Sequence, residues 1–249
     1  MIDGSLSLHD MKRLAMIRPE WGLLADRMLV ASYAEFVTVL YRDIDQCVAK
    51  IEEDPHIRSK DGEDRLTAEL IAMLCSRMYD ASHDEKVGGH SDIVIRHPAG
   101  YLWVGEAKIH KDYAYLEKGF NQLTTRYLPG TPHADEGALI VYVRVADCAG
   151  VVSEWRERLS ALVLPEYSDA DCERRKELGF FSEHKHEGSG RKIRIRHIAV
   201  KQHHDPKDKR PAKKPLVRSA PKAKPAAKTK AAAASALPKR AAVRRKSPV

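Results

Sequence analysis

Apolar side chains in the N-terminal quarter of the chain recur every three or four residues, which is the period of an amphipathic helix. We therefore predict that residues 1–58 form a helical segment that packs against the rest of the molecule. Pro19 and Pro55 are expected to interrupt the helices, because proline lacks the N–H that a helix interior uses. The stripe consists of Tyr33, Phe36, Val37, Leu40, Ile44, Cys47, Val48 and Ile51.

A second stripe predicts a helix over residues 61–80. At about 100° per residue, Glu63 lies in line with the apolar side chains, whereas Glu69 lies toward solvent. A carboxylate directed into a core is costly unless a cation pairs with it, so Glu63 is a candidate metal ligand. Alternatively, Glu63 is only a first-turn residue favoured by the helix dipole. Glu69 is then the other candidate for the acidic residue that this helix contributes to a site. The apolar positions are Leu66, Leu70, Met73, Leu74 and Met78.

Two apolar runs, residues 93–95 and 101–109, are predicted to be strands that are buried on both faces. Proline and glycine within residues 97–100 predict a tight connection between them, whereas the preceding residues 82–90 are expected to be a polar linker. The two runs therefore form a β-hairpin with charged residues at its open end.

The register of this hairpin brings charges together. If His97 pairs with Tyr101, Asp92 lies opposite Glu106, and such opposed side chains share one face with Cβ atoms about 5 Å apart. Lys108 follows Glu106 by two residues and points to the same face. Isolated charges on a sheet are commonly structural, but charges at the ends of buried strands need a physical reason.

A divalent cation would supply that reason, because two adjacent carboxylates repel each other. Mg²⁺ or Mn²⁺ binds few carboxylates, together with waters and phosphate oxygens. The predicted ligands are Asp92, Glu106, the carbonyl oxygen of Ala107 and, directly or through water, Glu63. Such an ion would polarise a phosphodiester and activate the attacking water. Lys108 would orient that water, offset transition-state charge, or act as a base if burial lowers its pKa.

The next segments alternate between helix and strand. The pattern of residues 113–128 predicts an amphipathic helix, on which Gln122 and Arg126 would reach phosphates or the attacking water. The apolar run 137–145 predicts a central strand reached by a parallel crossover. The remaining predicted elements are a helix at 152–162 and a strand with a basic face at 192–200.

Charge is distributed unevenly along the chain. Residues 205–249 hold 15 lysines and arginines against two aspartates, a net charge of +13, while the other 204 residues carry a net charge of −5. This tail is rich in lysine, alanine and proline and is predicted to be disordered. It would bind polyanions without sequence preference, or serve only as a solubilising extension. Its representative basic residues are Lys213, Lys214, Arg244 and Arg245.

Other features exclude several classes of protein. The four cysteines lack the spacing of a zinc site or a disulfide framework. The N-terminus lacks the apolar core of a signal peptide, and no apolar run is long enough to span a bilayer. A cytoplasmic or nucleoid-associated location is therefore expected. Four histidines without acid or cysteine neighbours at ligand spacing are expected at the surface: His184, His186, His203 and His204.

Over about residues 60–146, the order of elements and motifs resembles the PD-(D/E)XK nuclease superfamily. Asp92 resembles the first aspartate of that family, Glu106 and Lys108 its Glu-x-Lys, Glu63 its helix acid and Gln122 its helix glutamine.

The sequence GGHSDI at residues 88–93 resembles the glycine-rich lead-in of many members, which adds His90 to the candidate nucleic-acid contacts. Two departures are visible. Serine rather than proline precedes the aspartate, and Tyr127 follows Gln122 by five residues where many relatives have a spacing of four, so the role of Tyr127 is open.

The resemblance implies an α/β fold with a restriction-endonuclease-like αβββαβ core, a mixed sheet flanked by helices, in residues 59–204. It also implies a metal-dependent nuclease, more readily a DNA endonuclease in restriction, antiviral defence or DNA processing than an RNase. A homodimer and a separate helicase or ATPase partner are left open. The alternative is a catalytically inactive nucleic-acid-binding or scaffold protein on the same fold.

Overall fold

The structure is a computed structural model, and it describes residues 7, 10 and 13–208. The described residues up to Pro206 belong to one compact unit. The helices are α1 (Pro19–Met28), α2 (Tyr33–Glu53), α3 (Glu63–Cys75), α4 (Tyr113–Gln122) with a π-helix (Leu123–Tyr127), α5 (Cys148–Ser160) and a 3₁₀ turn (Glu173–Arg175).

Within the described residues, nine strands form a seven-stranded sheet and a small two-stranded one. The strands are β1 (Asp80–Ser82), β2 (Glu85–Lys86), β3 (His90–Ser91), β4 (Ile93–His97), β5 (Tyr101–Ile109), β6 (Glu136–Val143), β7 (Ser168–Asp171), β8 (Gly179–Lys185) and β9 (Lys192–Lys201). The large sheet has the order β1-β4-β5-β6-β9-β8-β7. Strands β5, β6 and β9 are parallel to one another, and the other pairs are antiparallel.

Helices cover both faces of this mixed sheet, so the protein is α/β. Helices α2 and α3 pack against one face, where Trp103 and Ala107 of β5 join their core. Helices α4 and α5 pack against the other face, where Val104 of β5 joins theirs. Because side chains alternate along a strand, Glu106 and Lys108 point with Val104 toward α4.

Several predicted elements have different limits. The helix predicted over residues 61–80 ends at Cys75, because the chain then turns, with Met78 at a positive φ of 70°, to form β1. The predicted polar linker 82–90 contains the end of β1, all of β2 and the first residue of β3. Short polar strands lack the apolar period that a sequence pattern needs.

The prediction that the strand at residues 192–200 has a basic face is wrong for its central arginine, Arg196. Strands β8 and β7 extend the sheet beyond β9, which makes β9 an interior strand. Arg196 is therefore fully buried, and its guanidinium donates to both carboxylate oxygens of Asp45 on α2, at 2.7 and 3.0 Å.

No helix among the described residues is long and apolar enough to cross a membrane. Residues 209–249 lie outside the described part of the chain, so the predicted disorder of the tail stays a prediction. The same holds for the tail residues proposed to bind nucleic acid, Lys213, Lys214, Arg244 and Arg245.

Candidate functional site at the end of strand β4

The candidate site forms where β5 continues beyond its neighbour β4. The register that the turn predicted is confirmed, since His97 pairs with Tyr101, and the last β4–β5 pair joins Ile93 to Gly105. Strand β5 runs on to Ile109 without β4 beside it. Its backbone N–H groups are therefore open on that edge, where side chains are able to reach them.

Two carboxylates occupy this open edge. The N–H of Ala107 donates to Asp92 Oδ2 at 2.9 Å, and the N–H of Ile109 donates to Glu63 Oε2 at 2.6 Å. Asp92 comes from the residue before β4, whereas Glu63 is the first residue of α3, on the opposite face of the sheet. Because β4 ends at this point, Asp92 from the sheet and Glu63 from the helical layer both bind the free edge of β5.

The ammonium group of Lys108 lies at the centre of this arrangement. Its Nζ is 2.5 Å from Glu106 Oε1, 3.0 Å from the carbonyl oxygen of Ala107, 3.3 Å from Glu63 Oε1 and 3.4 Å from Asp92 Oδ2. All four oxygen ligands predicted for a metal therefore contact one positive charge. Three carboxylates around one ammonium leave the cluster with a formal charge of −2 when all the groups are ionised.

Glu106 is the least satisfied of the three acids. It is 1% exposed, and among the described residues no donor meets its Oε2 atom. Burial, and then the negative charge of Asp92, raise the pKa of Glu106 to about 7, although Lys108 opposes this shift. A buried carboxylate with an empty acceptor position is poised to bind a further donor or a cation.

The electrostatics contradict one role suggested for Lys108. Burial alone would lower its pKa, but the negative charges of Glu106, Asp92 and Glu63 outweigh burial and hold the pKa above its usual range. A lysine with a raised pKa keeps its proton and is not a base. In this arrangement Lys108 is a cation and a hydrogen-bond donor.

The donor set has the chemistry of a Mg²⁺ or Mn²⁺ site, since hard cations prefer carboxylate and carbonyl oxygens. Within the part of the chain that the structure describes, no three acidic, histidine or cysteine side chains lie close enough together to hold a metal ion. The oxygens surround Nζ at 2.5–3.4 Å, whereas Mg²⁺ binds oxygen at ~2.1 Å. The unmatched Oε2 atom of Glu106 and the excess negative charge fit a divalent cation in place of the ammonium.

Helix α4 brings two residues to the site that the sequence analysis did not select. The hydroxyl of Tyr115 donates to Glu63 at 3.2 Å, and the ring lies 5.7 Å from Lys108 Nζ. Gly119 leaves room for the lysine, because a Cβ there would lie 2.9 Å from Cγ of Lys108. The three-to-four-residue spacing Tyr115, Gly119, Gln122 was a visible signal, since it places all three on one side of the helix.

The predicted helix 113–128 continues beyond Gln122 as a π-helix, and this change affects Tyr127. The N–H of Leu128 donates to the carbonyl of Leu123, a bond over five residues. This wider turn brings Tyr127 to Gln122, whose Nε2 donates to the phenol oxygen at 3.4 Å. Burial, and then the negative charges of Glu106 and Asp92, raise the pKa of Tyr127.

The glycine pair before Asp92 has a packing role against this turn. A Cβ on Gly88, which has a φ of +64°, would lie 1.8 Å from the carbonyl oxygen of Arg126, and one on Gly89 would lie 2.7 Å from the Tyr127 ring. Only glycine allows the β2–β3 hairpin to approach so closely.

The predicted nucleic-acid contacts lie further out. Arg126 is exposed, and it lines a groove of about 340 Å³ together with Gln122 and Lys118 on the outer side of α4 and the π-helix. His90 is exposed on the β2–β3 hairpin, with Nδ1 3.0 Å from the carboxylate of Asp84. The structure thus gathers the predicted metal ligands and Lys108, places Gln122 against Tyr127, and leaves Arg126 and His90 at the surface.

His184 of β8 and His186, which follows this strand, were expected at the surface, and this is wrong, since they are 5% and 9% exposed. Burial lowers the pKa of His184 to about 4. A nearby Ser182–His197 contact of 2.8 Å resembles a catalytic pair. The indole N–H of Trp155 donates to Nδ1 of His197 at 3.1 Å, so the neutral ring carries its proton toward Ser182 and cannot accept the hydroxyl proton.

Comparisons with protein-family models, with curated proteins and with solved structures find no match for this chain. The resemblance to the PD-(D/E)XK superfamily therefore stays a prediction drawn from the motifs, and the function is argued from the site itself.

Proposed function

We propose that this chain is a divalent-metal-dependent nuclease that hydrolyses phosphodiester bonds, with DNA favoured over RNA. The observation that carries the proposal is the convergence of four oxygens, from Glu63, Asp92, Glu106 and the carbonyl of Ala107, on a single cation. A buried acid with a raised pKa and an unmatched acceptor, as Glu106 is, is typical of functional sites.

The order of elements supports a restriction-endonuclease-like core. Helix α3 supplies Glu63, β4 begins directly after Asp92, β5 carries Glu106 and Lys108, and α4 ends at Gln122 before β6. We include membership of the PD-(D/E)XK superfamily in the proposal, and with it a role in restriction, defence or DNA processing.

The same oxygens would hold Mg²⁺ or Mn²⁺, which would polarise the scissile phosphodiester. The backbone N–H groups of Ala107 and Ile109 orient Asp92 and Glu63 toward the centre of the site. Lys108, with its proton retained, would offset charge on the phosphate in the transition state.

Nucleic acid would approach along the groove on α4 and the π-helix. Lys118 and Arg126 would contact phosphates, and Gln122 lines the same groove and donates to the Tyr127 hydroxyl. The basic tail would add affinity without sequence preference. Removal of residues 205–249 is expected to weaken DNA binding and reduce its salt dependence, and an unchanged salt slope would count against this role of the tail.

A specific observation favours the second candidate, a nucleic-acid-binding or scaffold protein without catalysis. The ammonium of Lys108 already contacts every proposed metal ligand, as a purely structural cation would. The acceptor excess around Glu106 favours the nuclease.

Incubation of the full chain with supercoiled plasmid separates the two functions. The nuclease is expected to nick or linearise the plasmid in Mg²⁺ or Mn²⁺ and to stop when EDTA is added. Plasmid that is retarded in a gel but stays supercoiled in both metals would favour the scaffold and reject the nuclease.

A further inference from the structure

The ammonium of Lys108 lies where the four oxygens proposed as metal ligands converge. An ammonium has three N–H donors, yet four oxygens lie within 3.4 Å of Nζ. The lysine therefore leaves the acceptors incompletely satisfied, and Glu106 Oε2 has no donor among the described residues. The arrangement holds one positive charge among three carboxylates.

A divalent ion and the ammonium cannot occupy this point together. Mg²⁺ requires oxygens at ~2.1 Å, so that both cations would lie in van der Waals overlap if each contacted the same four atoms. They would also repel each other strongly at such a separation.

The side chain has limited freedom to withdraw. Its stem passes beneath α4 at Gly119, where even a Cβ would lie 3.1 Å from Cε. The tip lies 5.7 Å from the centroid of the Tyr115 ring, and such a ring face attracts cations. Movement is thus confined to the end of the side chain.

We infer that Lys108 is an internal competitor of the metal: its ammonium holds the site open in the metal-free protein and must leave the four oxygens when a divalent ion binds. The inference rests on the proposed function for the identity of the ion. Its consequence is that Lys108 weakens metal binding, although the same residue promotes cleavage.

The test is the affinity of the full chain for Mn²⁺ without nucleic acid, measured from the electron paramagnetic resonance signal of the free ion. The Lys108→Met variant keeps the stem but removes the charge. It is expected to bind Mn²⁺ at least tenfold more tightly than the wild-type chain. Equal or weaker binding would overturn the inference.

Lys111→Met is the matched control. Lys111 is exposed, and its Nζ lies 4.5 Å from the centroid of the same Tyr115 ring. Its loss removes an equal charge from the neighbourhood, and Mn²⁺ affinity is expected to change less than threefold. An equal gain in Lys111→Met would assign the effect to overall charge and overturn the inference. Adding Glu106→Gln to Lys108→Met is expected to abolish the gain, and a persistent gain would place the ion elsewhere.

A second measurement uses the wild-type chain, in case Lys108→Met does not fold. Crystals grown with MnCl₂ are expected to show the ion at the position of Nζ and the ammonium displaced from the four oxygens. An ion bound elsewhere, or a site that stays metal-free at millimolar Mn²⁺ while Lys108→Gln binds no better, would overturn the inference.

The outcomes separate this inference from the proposed function. Tighter Mn²⁺ binding by Lys108→Met together with an intact plasmid in every wild-type assay would keep the internal competitor and reject the nuclease. Plasmid cleavage by the wild-type chain with no gain of affinity in Lys108→Met would keep the nuclease and reject the competitor.

Discussion

Two buried carboxylates, Asp43 and Glu106, have nearly the same exposure but opposite surroundings. Asp43 on α2 is fully buried and accepts from Arg27 at 2.6 Å, from Tyr79 at 2.8 Å and from Arg42 at 3.1 Å. Burial would raise its pKa, but these donors outweigh burial and hold the pKa below its usual range. Its charge is therefore fully matched.

Glu106 on β5 is equally hidden but poorly matched. Lys108 contacts one of its oxygens, and the other has no partner in the region that the structure describes. Its pKa moves upward, to about 7. Burial alone therefore does not distinguish a fully paired acid from one that is short of donors, whereas the balance between acceptors and donors does.

The largest expected effect comes from substituting each acid by its amide. Asp43→Asn removes the charge that two arginines share, and it is expected to lower the free energy of unfolding by about 3–5 kcal/mol. At pH 5, where Glu106 keeps its proton in the folded protein, Glu106→Gln is expected to change it by less than about 1 kcal/mol, since the amide is a neutral analogue of the protonated acid. Urea unfolding of both variants measures this, and equal losses would erase the distinction.

The second prediction concerns activity. If the proposed function holds, Glu106→Gln is expected to reduce Mg²⁺-dependent plasmid cleavage at least a thousandfold, about 4 kcal/mol in the barrier, because it removes a metal ligand. Glu53→Gln is the control, since Glu53 is an exposed residue that pairs with Lys50. Initial rates of plasmid cleavage at saturating Mg²⁺ measure this effect. Cleavage by Glu106→Gln at the rate of the control would show that Glu106 is not a residue of the catalytic site.

The third prediction concerns pH. Between about pH 4.5 and 7 the folded protein keeps a proton on Glu106 that the unfolded chain releases, so stability due to this residue falls as pH rises through that window. The difference in free energy of unfolding between wild type and Glu106→Gln is expected to change by up to ~3 kcal/mol across that pH window. Asp43 has the opposite sign, because its contribution is lost as pH falls below about 4.

Unfolding by urea at pH 5, 6, 7 and 8 measures this difference. Burial lowers the pKa of His184 to about 4 and the pKa of His197 to about 3. Because both rings are protonated more readily in the unfolded chain, their contribution to the stability of the folded protein is lost as the pH falls below about 6.5. They are present in both proteins, so subtraction removes their contribution. A flat difference between wild type and Glu106→Gln would refute the raised pKa.

The smallest effect is expected from Gly119→Ala. Alanine favours a helix over glycine by about 1 kcal/mol, but its Cβ would lie 2.9 Å from Cγ of Lys108 and push the stem aside. Stability is expected to change little, while cleavage falls about tenfold. Thermal unfolding and cleavage rates are measured together, and unchanged cleavage would show that the lysine does not need its present path.

Local features were sufficient to predict the centre of the candidate site. A short turn and the alternation of side chains set the β4–β5 register, so Asp92, Glu106 and Lys108 were expected on one face. The helical period placed Glu63 on the buried side of α3. These rules depend on neighbours within about 15 residues along the chain or within one helix.

Features that depend on distant segments were not predicted. Strands β7 and β8, which were not predicted, extend the sheet beyond β9 and contribute to the burial of Arg196 and His184. The π-helix that brings Tyr127 to Gln122 also has no signal in the helical stripe, which continues through it. Each depends on packing between segments far apart in sequence.

The sequence by itself determined which residue types occur and which face of each strand or helix they share, because backbone periods depend on local geometry. The tertiary structure alone decided that α3 from one layer and α4 from the other meet where β4 ends. It thereby decided that Glu106 is short of donors and that Asp43 is not, since the number of donors around a buried charge depends on which distant segments pack beside it.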